Sequence, residues 1–225
     1  MTGRGVFVTG TDTGIGKTHA SCALLAALRA RGLRASGMKP VASGCRATPL
    51  GLRNDDAEAL IAASDPPPAY ADCNPFALPE PIAPHLAAAR AGVSIALDPL
   101  RAACARIAGN ADRIVVEGVG GWAVPLSDAL MQADLVRALG LPVILVVGLR
   151  LGCLNHALLS VRAIAADRCT LAGWIGNRID PAMACADDNL ATLRARIAAP
   201  LLGVLEHCPR GSPPREADAL DARAL

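Results

Sequence analysis

Val6-Phe7-Val8-Thr9-Gly10-Thr11-Asp12-Thr13-Gly14-Ile15-Gly16-Lys17-Thr18 runs from an apolar segment through a glycine-rich turn into His19-Ala20-Ser21-Cys22-Ala23-Leu24-Leu25, an amphipathic stretch. Strand, glycine-rich turn and helix, in that order, are the setting in which Gly-Lys-Thr works as a phosphate loop. Backbone N–H groups in such a turn point inward and form a concavity for anions. The uncapped amides at the helix start add to it. Lys17 then reaches the β- and γ-phosphates, and the Thr18 hydroxyl sits on Mg²⁺. Between Gly10 and Gly16 lie five residues, one more than in the common spacing. An ordinary strand-to-helix turn is the alternative, and it needs Gly-Lys-Thr to fall there by accident. The stretch reads as a nucleoside triphosphate site.

Outward from that loop, 225 residues with 52% hydrophobic content allow one large domain, residues 1–225, and a substantial core. Two Trp, one Tyr and two Phe leave that core to Ala, Leu, Val and Ile. A net charge of +2 without long basic runs argues against nucleic acid as a partner. No apolar run is long enough to span a membrane, and Met1-Thr2-Gly3-Arg4-Gly5 passes straight into the first strand without a secretory pattern. The expectation is a cytoplasmic chain. Its eight cysteines show no Cys-x-x-Cys or zinc spacing and read as reduced thiols, mostly core residues. His207-Cys208 reads as loop.

Strands are expected at 5–9, 33–38, 113–118, 142–148, 171–176 and 201–205, and helices at 17–31, 54–63, 85–91, 98–108, 133–139, 152–167 and 188–198. Asn54 or Asp55 caps the second helix, and Asp98 the fourth. The proline-rich segment 65–84 reads as surface loop, and so does the tail from Pro209. Strands alternating with helices imply an α/β fold of the P-loop NTPase type, a mostly parallel sheet with helices on both faces.

Ligands collect beyond the carboxyl ends of such strands. There the chain places Asp12, Thr13 and Lys17, then Lys39 and Ser43, then Glu117, with Asp56 after the second crossover. Mg²⁺ takes one or two carboxylates together with phosphates and water, a set that Thr18, Asp56 and Glu117 supply. Alternatively Glu117 is a solvated acid, Asp56 a helix-cap residue, and Lys39 a side chain reaching solvent. Two lysines at one phosphate site suit phosphoryl transfer, which needs charge neutralised more than it needs a covalent helper. Lys39 is then free for a second anion or an anionic acceptor. The helix near Gly152 opens Gly152-Cys153-Leu154-Asn155 without a capping side chain, which leaves its first amides for an anion.

Phe7 to Thr13, Lys39-Pro40-Val41-Ala42-Ser43-Gly44, Glu117-Gly118-Val119-Gly120-Gly121-Trp122 and Leu151-Gly152-Cys153-Leu154-Asn155-His156 together closely resemble the dethiobiotin synthetases of biotin biosynthesis. The resemblance runs to about Gly203. It implies an ATP- and Mg²⁺-dependent ligase that closes a cyclic urea on 7,8-diaminononanoate with CO₂, through a carbamate and its phosphorylated anhydride. It implies that Thr13, Lys17, Lys39 and Ser43 contact the phosphates and the carbamate, and that Thr18, Asp56 and Glu117 hold the metal. Gly14, Ile15, Gly16 and Gly120 would line the nucleotide, and Asn177 would face adenine. The turn Gly152–Asn155 would receive the substrate carboxylate from the neighbouring subunit of a homodimer. Two departures stand out: family members often carry an acid where this chain has Gly14, and the loop after Leu205 matches poorly.

Three rivals share parts of the pattern. Partition ATPases carry a lysine where this chain has Asp12. GTP-binding proteins carry a guanine signature that Asn177-Arg178-Ile179-Asp180 matches except for its lysine. Amide-forming synthetases of cobalamin biosynthesis carry an amidotransferase domain for which 225 residues leave no room.

Overall fold

A computed structural model of the chain describes residues 5–207 and 220–223. The elements run β1 (Gly5–Gly10), α1 (Lys17–Ala30), β2 (Ala35–Met38), β3 (Val41–Ala42), β4 (Arg46–Thr48), β5 (Gly51–Arg53), α2 (Asp55–Ala63), α3 (Tyr70–Cys73) and β6 (Phe76–Ala77). They continue α4 (Pro84–Arg90), α5 (Leu97–Asn110), β7 (Arg113–Glu117), α6 (Gln132–Leu139), β8 (Val143–Gly148), α7 (Cys153–Ala166), β9 (Leu171–Asn177), α8 (Ala186–Arg196) and β10 (Leu201–Leu205).

Six strands form one parallel sheet in the order β10-β9-β8-β1-β7-β2. Every residue of β1 and β8 is buried, as parallel strands covered on both faces require. Alternation along the strands sorts their side chains into separate cores. Val6, Val8, Ile144 and Val146 pack with Leu24 and Leu28 of α1 and Leu60 of α2. Phe7, Val116 and Val143 pack with Leu100 and Ile107 of α5 and Val136 of α6. Leu145, Val147 and Trp174 join Cys153 and Ala157 of α7 and Leu193 of α8. The chain leaves β1 for β2 on one side and later reaches β8 on the other, so the sheet's switch point lies where β1 ends and the glycine-rich turn begins.

The long elements match their expected spans within a few residues. Asn54 caps α2 as expected, its Oδ1 accepting from the Ala57 amide at 3.2 Å. Asp98 does not cap α5. The cap is Ala96, without a side-chain bond, and Asp98 sits in the first turn, where an acid still complements the helix dipole. The segment 65–84 is more than loop, since it holds α3 and β6, and β6 pairs with β3 through Val41↔Phe76 and Ala42↔Ala77. A small antiparallel hairpin, β4 with β5, also lies in what reads as polar loop. Each of these pieces is four residues or fewer, too short for a periodic signal. Most of the segment after Pro209, read as loop, lies outside the described residues, and so does Cys208. Leu220 and Ala222 are buried, and the Asp221 amide donates to Leu202 O at 2.7 Å.

Candidate active site

The phosphate loop is held from beneath. Asn177, 5% exposed at the end of β9, donates from Nδ2 to the Ile15 carbonyl at 2.8 Å. Gly16 has φ 84°, and a Cβ there would lie 2.1 Å from Asn177 Nδ2, so only glycine fits. Thr11 N donates to Val146 O at 3.0 Å, tying the loop to β8 as well. Thr13 and Gly14 are exposed at its crest. Gly14 has φ 74°, and a Cβ there would meet no atom of the described residues within 4 Å, so where relatives carry an acid this chain has a bare, left-handed turn. Gly120 lies against the loop, where a Cβ would sit 3.7 Å from Thr13 Oγ1.

Lys17 and Lys39 are the only lysines in the chain; the other cationic side chains are arginines and histidines. Both lysines are buried, 7% and 3% exposed. Lys17 donates to Asp12 O at 2.9 Å. Burial, and then the nearby Lys39 ammonium, push its pKa down to about 8, against weaker opposing pulls from Glu117, Asp56 and Asp12. Lys39 donates to Glu117 Oε1 at 2.6 Å, Asp56 Oδ2 at 2.9 Å and Gly118 O at 3.2 Å. Burial opposes its charge, but the Glu117 and Asp56 carboxylates outweigh it and raise the pKa. Asp56 moves the other way: its burial is outweighed by the Lys39 charge and by bonds from Lys39 and Thr18, and its carboxyl stays below the usual range.

Thr18 Oγ1 donates to Glu117 Oε1 at 2.9 Å. Glu117 is fully buried, and its Oε2 has no hydrogen-bond partner among the described residues. A buried carboxylate oxygen left bare costs free energy unless something positive completes it. Among the described residues no three acidic, His or Cys side chains gather as a metal site by themselves. The donor set of Thr18, Asp56 and Glu117 is hard oxygen with room for phosphate ligands, which is the manner in which Mg²⁺ binds. The residues therefore fit that ion. The alternative readings of Glu117 as a solvated acid and of Lys39 as a solvent-reaching side chain do not hold, because both are buried and paired. Ser43 follows β3, and its Oγ is also buried without a partner among the described residues.

The turn before α7 is built as its sequence suggests. Gly152 is the cap residue at φ 95°, with no side-chain cap bond. Gly152 and Asn155 are exposed, Leu154 is half-buried and Cys153 is buried. Leu151 is 93% exposed and Leu159, on α7, is 53% exposed. The thiols near the site are inert core groups: burial pushes Cys22 and Cys73 up to about 12.

Some site residues carry no sequence signal. Arg150 bridges to Asp12 at 2.7 Å, joining the turn before α7 to the phosphate loop. Gln132 accepts from Val119 N at 2.8 Å and donates to Gly121 O at 2.7 Å, fixing the loop after β7. Tyr70 and Asn74 stand behind Lys39. Arg150 meets Asp12 side chain to side chain, while Gln132, Tyr70 and Asn74 reach main-chain groups elsewhere in the fold, and no local spacing reveals either kind of contact.

The AAA domain family model matches residues 4–215. The chain is 64% identical over 197 residues to the ATP-dependent dethiobiotin synthetase BioD of Xanthomonas euvesicatoria pv. vesicatoria, covering 88% of each chain. It is 61% identical over 208 residues to the protein of that name in Xylella fastidiosa, covering 92% of each. Among solved structures it resembles the MinC:MinD cell division protein complex of Aquifex aeolicus, with a TM-score of 0.54 at 15% identity over 92% of this chain and 83% of that one. It also resembles chloroplast FtsY from Physcomitrella patens, with a TM-score of 0.52 at 16% identity over 98% of this chain and 63% of that one. These two likenesses establish the P-loop NTPase-like fold. With the long phosphate loop, the two lysines and the buried acid in place, and with relatives this similar along nearly their whole length, the chain belongs to the dethiobiotin synthetase family.

Proposed function

We propose that the chain is an ATP-dependent ligase that closes the ureido ring of dethiobiotin on 7,8-diaminononanoate with CO₂. One amine adds to CO₂ and loses a proton, giving a carbamate. A carbamate oxygen attacks the γ-phosphorus of ATP and ADP leaves, giving a carbamic–phosphoric anhydride. The second amine attacks the carbonyl carbon, phosphate leaves with the bonding pair, and the ring closes with loss of a proton.

The observation that carries this reading is the convergence of Lys17 and Lys39, the chain's only lysines, on the switch point of the sheet. The phosphate-loop amides of residues 13–18 and Lys17 would cradle the nucleotide, with Gly120 alongside and Asn177 supporting the loop near the base. Lys39 and Ser43 would hold the carbamate. Lys39 is kept protonated by Glu117 and Asp56, so it neutralises charge and does not compete with the diamine for CO₂. Thr18, Asp56 and Glu117 would hold Mg²⁺, whose charge supports the phosphates when bound.

The turn Gly152–Asn155 would receive the substrate carboxylate from the neighbouring subunit of a homodimer. The open helix start and the exposed Leu151 and Leu159 support this arrangement. No helix among the described residues is long and apolar enough to cross a membrane, and a biosynthetic role with reduced thiols suits the cytoplasm.

The test is ADP release by the purified chain with ATP, Mg²⁺, bicarbonate and 7,8-diaminononanoate, each omitted in turn, with the product identified by mass spectrometry. Release that requires both diamine and bicarbonate and yields dethiobiotin is expected. ADP release indifferent to the diamine would sink the reading.

A further inference from the structure

Behind Lys39 lies a second layer of polar contacts. The main chain of Lys39 is held on both sides by the α3 segment: its amide donates to Cys73 O at 2.8 Å, and its carbonyl accepts from Asn74 Nδ2 at 2.7 Å. Asn74 is 3% exposed. Its Oδ1 accepts from the Tyr70 hydroxyl at 3.1 Å, and that same hydroxyl accepts from the Asn54 amide at 2.8 Å. Asn54 is the cap of α2, two residues before Asp56, and Asp56 closes the circuit by pairing with Lys39 Nζ at 2.9 Å.

The circuit therefore runs Lys39 carbonyl, Asn74, Tyr70 hydroxyl, Asn54 amide, Asp56 carboxylate and back to the Lys39 ammonium. No link in it is a core contact between apolar groups. The ring of Tyr70 is held separately, by the Arg53 guanidinium 4.1 Å above it, so the hydroxyl is aimed by contacts outside the circuit. A cation must sit within about half an ångström of its productive place to be worth its charge. Lys39 hangs on a long stem, and its strand end and the start of α2 belong to separate elements joined by a hairpin.

We propose that Tyr70 and Asn74 are positioning residues for the reaction, holding the Lys39 strand end and the Asp56 helix start at one fixed separation. The proposal rests on the reading of Lys39 and Asp56 as site residues, and its test includes an arm that needs no turnover. Tyr70→Phe removes only the hydroxyl and keeps the ring on Arg53. It should lower kcat about tenfold, the order expected for misplacing a charged group by one hydrogen bond, while KM for ATP stays within about twofold. Because only two lysines exist, an amine-selective acylating reagent followed by peptide mass spectrometry reads their exposure directly. In Tyr70→Phe, labelling of Lys39 should rise about fivefold or more, with Lys17 as the internal standard unchanged. Asn74→Ala, which frees the Lys39 carbonyl, should do the same. Arg53→Ala, which keeps the hydroxyl and loosens only the contact that aims its ring, should move the Lys39-to-Lys17 ratio in the same direction but by less than Tyr70→Phe.

Wild-type kcat with unchanged Lys39 labelling in Tyr70→Phe would overturn the proposal. So would a rise in Lys17 and Lys39 labelling together with a lower melting temperature, which would mark ordinary loss of stability. If the wild type made no dethiobiotin, the functional reading would fall, and the labelling ratio alone would still decide whether this clamp exists.

Discussion

At the scale of single residues, Lys39 and Glu117 form a buried ion pair, and its two members answer differently to substitution. Lys39→Ala should lower kcat by a factor corresponding to about 3 kcal/mol or more, because a preorganised charge at a transferring group is lost. It should also lower the melting temperature, since it leaves Glu117 buried without its cation. Lys17→Ala should abolish turnover with little change in melting temperature, because among the described residues Lys17 donates only to the Asp12 carbonyl. Steady-state kinetics beside differential scanning calorimetry separate the two effects. Glu117→Gln removes an anionic oxygen from the set that fits Mg²⁺, so the Mg²⁺ concentration for half-maximal rate should rise severalfold. An unchanged Mg²⁺ titration would leave Glu117 a partner of Lys39 and nothing more.

The same scale carries a dependence on pH. Lys17 has its pKa lowered to about 8 in the ligand-free chain, so it loses its charge as pH rises through 8. A phosphate ligand favours the charged form, so binding ATP above pH 8 must take up a proton. Calorimetric titration at pH 9 in buffers of different ionisation enthalpy should show that uptake, with weaker ATP affinity than at pH 7. Equal affinities at both values would place the Lys17 pKa far from 8.

At the scale of elements, the phosphate loop depends on a strand far from it in sequence. Asn177 ends β9 and donates to the Ile15 carbonyl within the loop. Asn177→Ala should leave that carbonyl unpaired, at a cost of about 1–3 kcal/mol in stability. Because the lost bond is in the loop itself, ATP affinity should fall as well, measurable by calorimetry on the folded protein. A stability loss with unaltered ATP affinity would make Asn177 a strut of the sheet and not of the site. The long elements around it were readable in advance because their apolar spacing is regular. The hairpin β4–β5 and the β3–β6 pair were not readable, since pieces of two or three residues are chosen by their neighbours.

At the scale of the whole molecule, a shared site predicts complementation between subunits. Gly152 has φ 95°, so a side chain there would strain the turn itself. Asn155→Glu places the repelling charge on an exposed residue of α7 instead. Co-expressed with Lys17→Ala, it should restore activity in mixed dimers, since one site collects both lesions and the other is intact. Mixed dimers that form and stay inactive would show that each subunit holds its whole site. The sequence by itself determined the parallel α/β architecture, the phosphate loop, the two lysines and the acid ending β7. Those are statements of spacing along one chain, written in periodicity, glycine and charge. Only the tertiary structure decided that Lys39 lies between Asp56 and Glu117, that Asn177 braces Ile15, and that Tyr70 and Asn74 stand behind the lysine. These contacts join residues from 17 to 162 positions apart, the ion pairs between side chains and the braces of Asn177 and Asn74 onto backbone carbonyls, and only packing brings such distant groups together.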